Sequence, residues 1–275
     1  MSDLDFVQVG ELAKGIRQQG EPAVGELVGT ETVLHYEYGT VTRLVFTGEH
    51  DLTWEVLAGP EAGSSGTESY AAFAPREGVC LVDYISSSLP RTSVSVVLDT
   101  TTGSATAVVG TLPTAAEVEK GAFALARDGE DLTAVRAEFL RAALDRPFVP
   151  SDHAHAPTDE MVGKRVQYVY GPTEAYEHIY LSEKLYTWQC LAGLEKGLAD
   201  TDRSHSFRLG DRLYLFVWRE RVVPTLGVVV VDWQAMRSFG KLCGYESGDF
   251  GPIANARIAS VATLLNVTEH DTASF

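Results

Sequence analysis

The sequence is poor in the features that mark secreted, membrane-spanning or nucleic-acid-binding proteins. It has only three cysteines, no CxxC pair, and no apolar run near the roughly 20 residues that a membrane span requires. The first twenty residues hold no apolar stretch of the kind found in secretory signals. Basic residues are also scarce, because 22 Lys and Arg stand against 38 Asp and Glu, a net charge of −16. We therefore expect a cytoplasmic protein that binds neither nucleic acid nor a membrane.

Several motifs of common enzyme classes are missing as well. The sequence contains no GxGxxG, GxxxxGK[ST], HExxH or GxSxG pattern. One HxH pair, His153 and His155, stands on a polar segment, but two imidazoles alone rarely make a specific metal site. We therefore expect neither a metal nor a cofactor, and any chemistry must come from the side chains themselves.

An internal repeat organises what is present. Residues 52–59 read LTWEVLAG, and residues 186–193 read YTWQCLAG, with five of eight positions identical at an offset of 134. The LVG of residues 27–29 and the MVG of residues 161–163 share that offset. The repeat predicts a duplication that covers about residues 25–112 and 160–267, and therefore two modest cores instead of one large core.

Each copy reads as seven or eight short runs of β-branched and aromatic residues separated by Gly, Pro, Asp and Ser. This series predicts an all-β fold, either an up-and-down antiparallel barrel or a sandwich. An eight-stranded barrel has room for packed side chains or one small ligand.

Helices are expected only outside the two copies. Val9, Leu12 and Ile16 form an apolar stripe near the N-terminus. In the connector, Thr114 and Glu117 resemble a capping box, and a second helical stripe contains Leu132, Val135 and Phe139. We divide the chain into an N-terminal helix plus barrel (1–112), a helical connector (113–150) and a C-terminal barrel (151–275).

The two copies differ at positions that should face the barrel interior. In the first copy Leu44 and Phe46 share a strand face, and the same parity in the second copy turns Tyr176, His178 and Tyr180 inward. An imidazole that titrates near neutrality and two phenols can bind a ligand and move a proton, so these three are candidate catalytic residues. The alternative is a core histidine that is satisfied by a neighbouring carbonyl group.

A fourth candidate, Glu220, ends an apolar run and would act as the acid/base partner of His178, unless it only caps the rim of the strand. Aromatic residues on inward positions and the polar loop after the tryptophan strand are candidate substrate contacts. For Trp188 the alternative is core packing, and for the loop it is a solvated turn. These substrate-binding candidates are Tyr186, Trp188, Tyr214, Phe216, Trp218, Glu195, Asp200 and Asp202.

The stretches 176–181, 186–191, 195–202 and 213–220, followed by Pro224 and Thr225, resemble the MoaF family, whose members are labelled molybdenum cofactor biosynthesis protein F. The resemblance covers nearly the whole chain and is stronger in the second copy. It implies two tandem lipocalin-like (calycin-type) antiparallel barrels. The label implies a role in molybdenum cofactor biosynthesis, but no basic cluster or glycine-rich cradle for a phosphate accompanies it.

These observations lead to two main hypotheses of function. The first is a cofactor-independent enzyme, of the isomerase, cyclase, dehydratase or lyase type, that acts on a small organic or aromatic substrate in the C-terminal barrel. The second is a non-catalytic lipocalin-type carrier. An accessory factor of molybdenum cofactor biosynthesis and a homodimeric state are further expectations.

Overall fold

A computed structural model of the chain describes residues 6–16 and 27–270 and contains two closed eight-stranded antiparallel barrels in tandem. In the first barrel every strand pairs with its neighbour in sequence, and β8 returns to β1 to close the sheet. Its strands are β1 (Glu31–Tyr36), β2 (Val41–Phe46), β3 (Asp51–Ala58), β4 (Ser65–Arg76), β5 (Val79–Ile85), β6 (Thr92–Asp99), β7 (Ser104–Thr111) and β8 (Arg136–Leu144).

The second barrel repeats this plan, with β10 paired to β17 and β12 paired to β13. The two-residue strand β9 adds to the outside of β13. Strand β9 (Ala156–Pro157) is not one of the eight strands of the closed barrel. The barrel strands are β10 (Lys164–Val169), β11 (Ala175–Tyr180), β12 (Leu185–Ala192), β13 (Ala199–Gly210), β14 (Leu213–Arg219), β15 (Thr225–Asp232), β16 (Arg237–Tyr245) and β17 (Ile253–Val267). The all-β class and the tandem barrels that the repeat predicted are therefore confirmed.

Strand pairing reproduces the repeat at the level of single residues. Leu44 lies opposite Trp54 between β2 and β3, and His178 lies opposite Trp188 between β11 and β12. Because neighbouring residues of a strand face opposite sides of the sheet, this common register turns equivalent positions inward in both barrels.

The connector differs from the helical prediction. It contains only two short helices in the described residues, α2 (Ala115–Val118) and α3 (Ala122–Arg127), and a 3-10 turn at Pro150–Asp152. The capping box of Thr114 and Glu117 is present. The helix predicted through Leu132, Val135 and Phe139 does not form, because residues 136–144 are strand β8 of the first barrel. Apolar residues on both faces of this strand imitate a helical spacing.

The barrels pack against each other through a third apolar core, where the sequence predicted only two. Leu213, Leu215 and Val217 of β14 meet Phe73 and Leu81 of the first barrel in this cluster. The other face of β14 points into its own barrel. This double burial explains why both faces of the strand are apolar.

Helix α1 (Val9–Gly15) packs on the second barrel, although it precedes the first in sequence. Gly10 allows the close approach, because a Cβ atom there would lie 2.5 Å from the carbonyl oxygen of Glu246. Val9 is fully buried against Gly244. None of the helices in the described part of the chain is long and apolar enough to cross a membrane.

Candidate functional site

A small cavity of about 40 Å³ lies inside the second barrel, enough space for a few water molecules. Seven of the residues singled out from the sequence line it: Tyr176, His178, Tyr186, Trp188, Glu195, Trp218 and Glu220. They come from β11, β12, the β12–β13 loop and the end of β14. The structure therefore brings together side chains that are up to 44 residues apart in sequence.

His178 lies in an aromatic cage and is 5% exposed. Its ring centroid is 4.8 Å from that of Tyr168, 5.1 Å from that of Tyr186 and 5.9 Å from that of Trp218. Burial lowers the pKa of His178 to about 3, so the imidazole is neutral at physiological pH. Its Nδ1 atom has no hydrogen-bond partner among the described residues, in contrast to the satisfied core histidine considered from the sequence.

Glu220 follows β14 and accepts a hydrogen bond of 2.8 Å from Nε1 of Trp218. Burial, and then the negative charge of Asp202, raise the pKa of Glu220 well above its usual value. The carboxyl group therefore tends to keep its proton. A neutral imidazole and a proton-holding carboxyl group line the same cavity.

Asp202 accepts hydrogen bonds from Nε1 of Trp188 at 3.0 Å and from the backbone N–H of Arg221 at 3.1 Å. Burial raises the pKa of Asp202 to about 6, with a smaller contribution from the charge of Asp200. Asp200 forms an ion pair with the side chain of Arg221. These two carboxylates lie behind the cavity wall and support it.

At the mouth of the cavity, Tyr176 donates a hydrogen bond of 3.1 Å to Glu195, and the backbone N–H of Val7 donates a second one to the same carboxylate at 3.2 Å. Burial raises the pKa of Glu195. The ring of Phe6 meets the ring of Trp188 edge-on, with centroids 6.1 Å apart. The N-terminal segment therefore closes the site.

Three further predicted residues do not line this cavity, although the rings of Tyr180 and Phe216 pack against His178. The hydroxyl groups of Tyr180 and Tyr168 are 2.8 Å apart in the barrel core, where Phe216 also packs. Tyr214 donates a hydrogen bond to Glu160 at 2.7 Å and borders a separate cleft. Tyr214 and Trp218 are four residues apart on β14, a separation of about 13 Å along an extended strand.

Sequence reasoning missed five residues of the cavity wall. Two of them, Leu12 and Ile16, belong to the N-terminal segment, whose apolar stripe was recognised but not its partner. The other three are Tyr170, Leu242 and Ile258. Only Tyr170 carried a usable signal, because it repeats Tyr36 of the first copy at the offset of 134.

The HxH pair has other partners. The ring nitrogens of His153 lie 2.9 and 3.0 Å from the carbonyl oxygens of His155 and Ala105. His155 is buried, with Nδ1 2.9 Å from the hydroxyl of Thr106 and Nε2 3.5 Å from Asp99. In the residues that the structure describes, no group of three or more His, Cys, Asp or Glu side chains could hold a metal ion.

Fold and site together define a tandem lipocalin-like β-barrel protein whose second barrel encloses an aromatic cavity. A family profile described as MoaF N-terminal domain matches residues 4–114, and one described as MoaF C-terminal domain matches residues 155–268. Protein MoaF of Klebsiella aerogenes is 40% identical over 271 residues, which cover 98% of each chain. The chain belongs to the MoaF family.

A solved structure from Burkholderia vietnamiensis, named provisionally as a beta-lactamase, aligns with 46% of this chain and 97% of its own. The sequences are 13% identical and the TM-score is 0.32. A similarity this low carries no information about function.

Proposed function

We propose that the C-terminal barrel binds a small organic molecule and catalyses a proton transfer on it without a cofactor. The reaction would be of the isomerase, cyclase, dehydratase or lyase type. One observation carries the proposal: His178 is neutral with an unpartnered nitrogen, and it shares a cavity with a carboxyl group, Glu220, whose pKa is raised. Two titratable groups whose pKa values are pushed in opposite directions can act as base and acid.

In this mechanism His178 takes a proton from the bound molecule and Glu220 returns one at another atom. The Tyr176 hydroxyl donates its single proton to Glu195 in this structure, and it can stabilise a developing oxyanion once it releases that hydrogen bond. The rings of Tyr186, Trp188 and Trp218 hold the apolar body of the substrate. Helix α1 excludes water, and a ligand larger than a few waters requires a shift of Leu12 and Ile16.

The proposal also includes the cytoplasm as the compartment, supported by the buried thiols Cys190 and Cys243. The connection to molybdenum cofactor biosynthesis rests on the family label alone. No residue of the site supports it.

The test does not require a known substrate. The protein is incubated in deuterium oxide with a small-molecule extract, and mass spectrometry detects molecules that gain deuterium at carbon. We expect labelling by the wild type and a loss of at least about 100-fold in His178→Leu, because a general base contributes that much or more. Leucine is chosen because Leu44 occupies the equivalent position in the first barrel.

A matched control is His205→Leu. His205 also has a burial-lowered pKa, of about 4, and an unpartnered Nε2, but it lies outside the cavity beside Phe139. This variant should label as the wild type does. Full labelling by His178→Leu would overturn the proposal, and a ligand that binds but is released without deuterium would identify a carrier.

A further inference from the structure

The described wall of the cavity contains two carboxyl groups and no basic side chain. Glu195, which is 7% exposed, and Glu220 both line it, and none of the described residues of its wall is Lys or Arg. Arg221, whose backbone N–H donates to Asp202 behind the wall, has its side chain engaged by Asp200. Glu220 keeps its proton and needs no counter-charge, whereas Glu195 accepts hydrogen bonds from Tyr176 and Val7 but has no positive charge beside it in the wall, so a ligand can supply one.

The remaining wall suits the same kind of ligand. The cavity wall is rich in aromatic side chains, namely Tyr170, Tyr176, Tyr186, Trp188 and Trp218. Such faces attract cations through the ring quadrupole, and cages of this type recognise ammonium groups. The unpartnered Nδ1 of His178 in the same wall is an available hydrogen-bonding atom for a further N–H group.

In this structure the N-terminal segment of the chain occupies the mouth of the cavity with an N–H donor and an aromatic ring. The backbone N–H of Val7 donates to Glu195, and the ring of the preceding residue, Phe6, contacts Trp188. An aromatic ring next to an N–H donor is the pattern of an aryl group joined to an amine. The segment therefore shows which groups fit this end of the site.

From this arrangement we propose that the cavity takes a small organic cation, an ammonium ion that carries an aryl group, with its charge at Glu195 and its ring beside Trp188. The ligand takes the place of Phe6 and the N–H of Val7 and displaces the N-terminal segment from the mouth. This inference rests on the proposed binding function and specifies the chemical class of the ligand. Glu220 stays available as the acid.

The test compares three probes of one shape: phenethylammonium, 2-phenylethanol and phenylacetate. Titration calorimetry gives their dissociation constants, and quenching of tryptophan fluorescence reports occupation of the site beside Trp188 and Trp218. We expect the ammonium ion to bind about tenfold more tightly than the alcohol, and phenylacetate to bind most weakly, because a charge-assisted contact is worth more than a neutral one.

The deciding variant is Glu195→Gln, which removes the charge and keeps the shape. It should weaken binding of the ammonium ion about tenfold and leave binding of the alcohol unchanged, so the alcohol also reports that the cavity is folded. The matched control is Glu61→Gln, the exposed equivalent in the first barrel. Equal binding of ammonium and alcohol, preference for phenylacetate, no binding of any probe, or an unchanged affinity in Glu195→Gln would overturn the inference. The deuterium experiment with His178→Leu judges the proposed function independently.

Discussion

The two barrels share their strands and register but not their interiors. The first is filled by aliphatic side chains where the second has rings, at pairs of residues 134 positions apart. These pairs are Leu34 and Tyr168, Leu44 and His178, Leu52 and Tyr186, and Val82 and Phe216. Since equivalent positions face inward in both, the difference lies in the chemistry of the interior and not in the architecture. The second barrel lines a cavity with rings and titratable groups at positions where the first barrel has aliphatic side chains.

One polar arrangement is common to both barrels. Trp54 donates to Glu68, which also accepts from the backbone N–H of Ser87. Trp188 donates to Asp202, which accepts from the backbone N–H of Arg221, again with an offset of 134. The shared indole–carboxylate pair therefore ties two neighbouring strands to a more distant loop, the one after β5 in the first barrel and the one after β14 in the second. His178 and Glu220 replace Leu44 and Ser86 and belong to the second barrel alone.

The difference between the two barrels is tested most strongly by exchanging the residues at one equivalent pair of positions, Leu44 and His178. Leu44→His should lower the free energy of unfolding by about 4 kcal/mol, because it removes leucine packing and buries an imidazole without a partner. Leu44 is 2% exposed and packs in the core of the first barrel. Urea unfolding measures the change.

The reverse substitution, His178→Leu, should change the unfolding free energy by only about 1 kcal/mol, because it removes an imidazole whose Nδ1 is already unpartnered. Equal losses in the two variants would mean that the position is equally tolerant in both barrels. The contrast between packed core and functional site would then fail.

A second difference is the N-terminal segment, whose described residues 6–16 pack on the second barrel. In Gly10→Val the new side chain collides with the carbonyl oxygen of Glu246, so α1 should detach with a loss of about 3 kcal/mol. Hydrogen exchange should accelerate in peptides that contain β11 and β12 and stay unchanged in those with β2 and β3. Gly121→Ala, with open space around it, is the control. Faster exchange in both barrels would show that the N-terminal segment does not stabilise the second barrel in particular.

The sequence predicted the barrels well because strand patterning is local and the duplication gave two readings of one pattern. Inward parity was correct for Tyr176, His178 and Trp188, since a period of two fixes the face of a strand once its neighbour is placed. Parity does not give depth along the barrel axis. Tyr180 and Tyr214 share the inward face but do not line the cavity.

Long-range packing could not be predicted in the same way. Leu12 and Ile16 line a cavity that is more than 150 residues away in sequence, and an apolar stripe does not identify its partner. Strand β8 was mistaken for a helix because Ala137 and Phe139 face the shared core while Leu140 and Ala142 face the barrel. Burial on two sides hides the alternation on which strand prediction depends.

A third comparison concerns the carboxylate that both barrels share in outline. Because folding raises the pKa of Asp202 from 3.8 to about 6, the folded state holds this proton more tightly than the unfolded state. The protonated Asp202 side chain stabilises the folded state in full below pH 4, and this contribution is lost as the pH rises through 6. Asp202→Asn removes this dependence, so the variant should gain about 2 kcal/mol relative to the wild type between pH 4 and pH 7.

Glu68→Gln in the first barrel should instead lose about 1 kcal/mol at pH 7, because both its oxygens accept hydrogen bonds around Ser87. Urea unfolding at several pH values measures both, and a wild-type stability that rises from pH 4 to pH 7 by an amount that Asp202→Asn abolishes would show that Asp202 is stabilised as a charge.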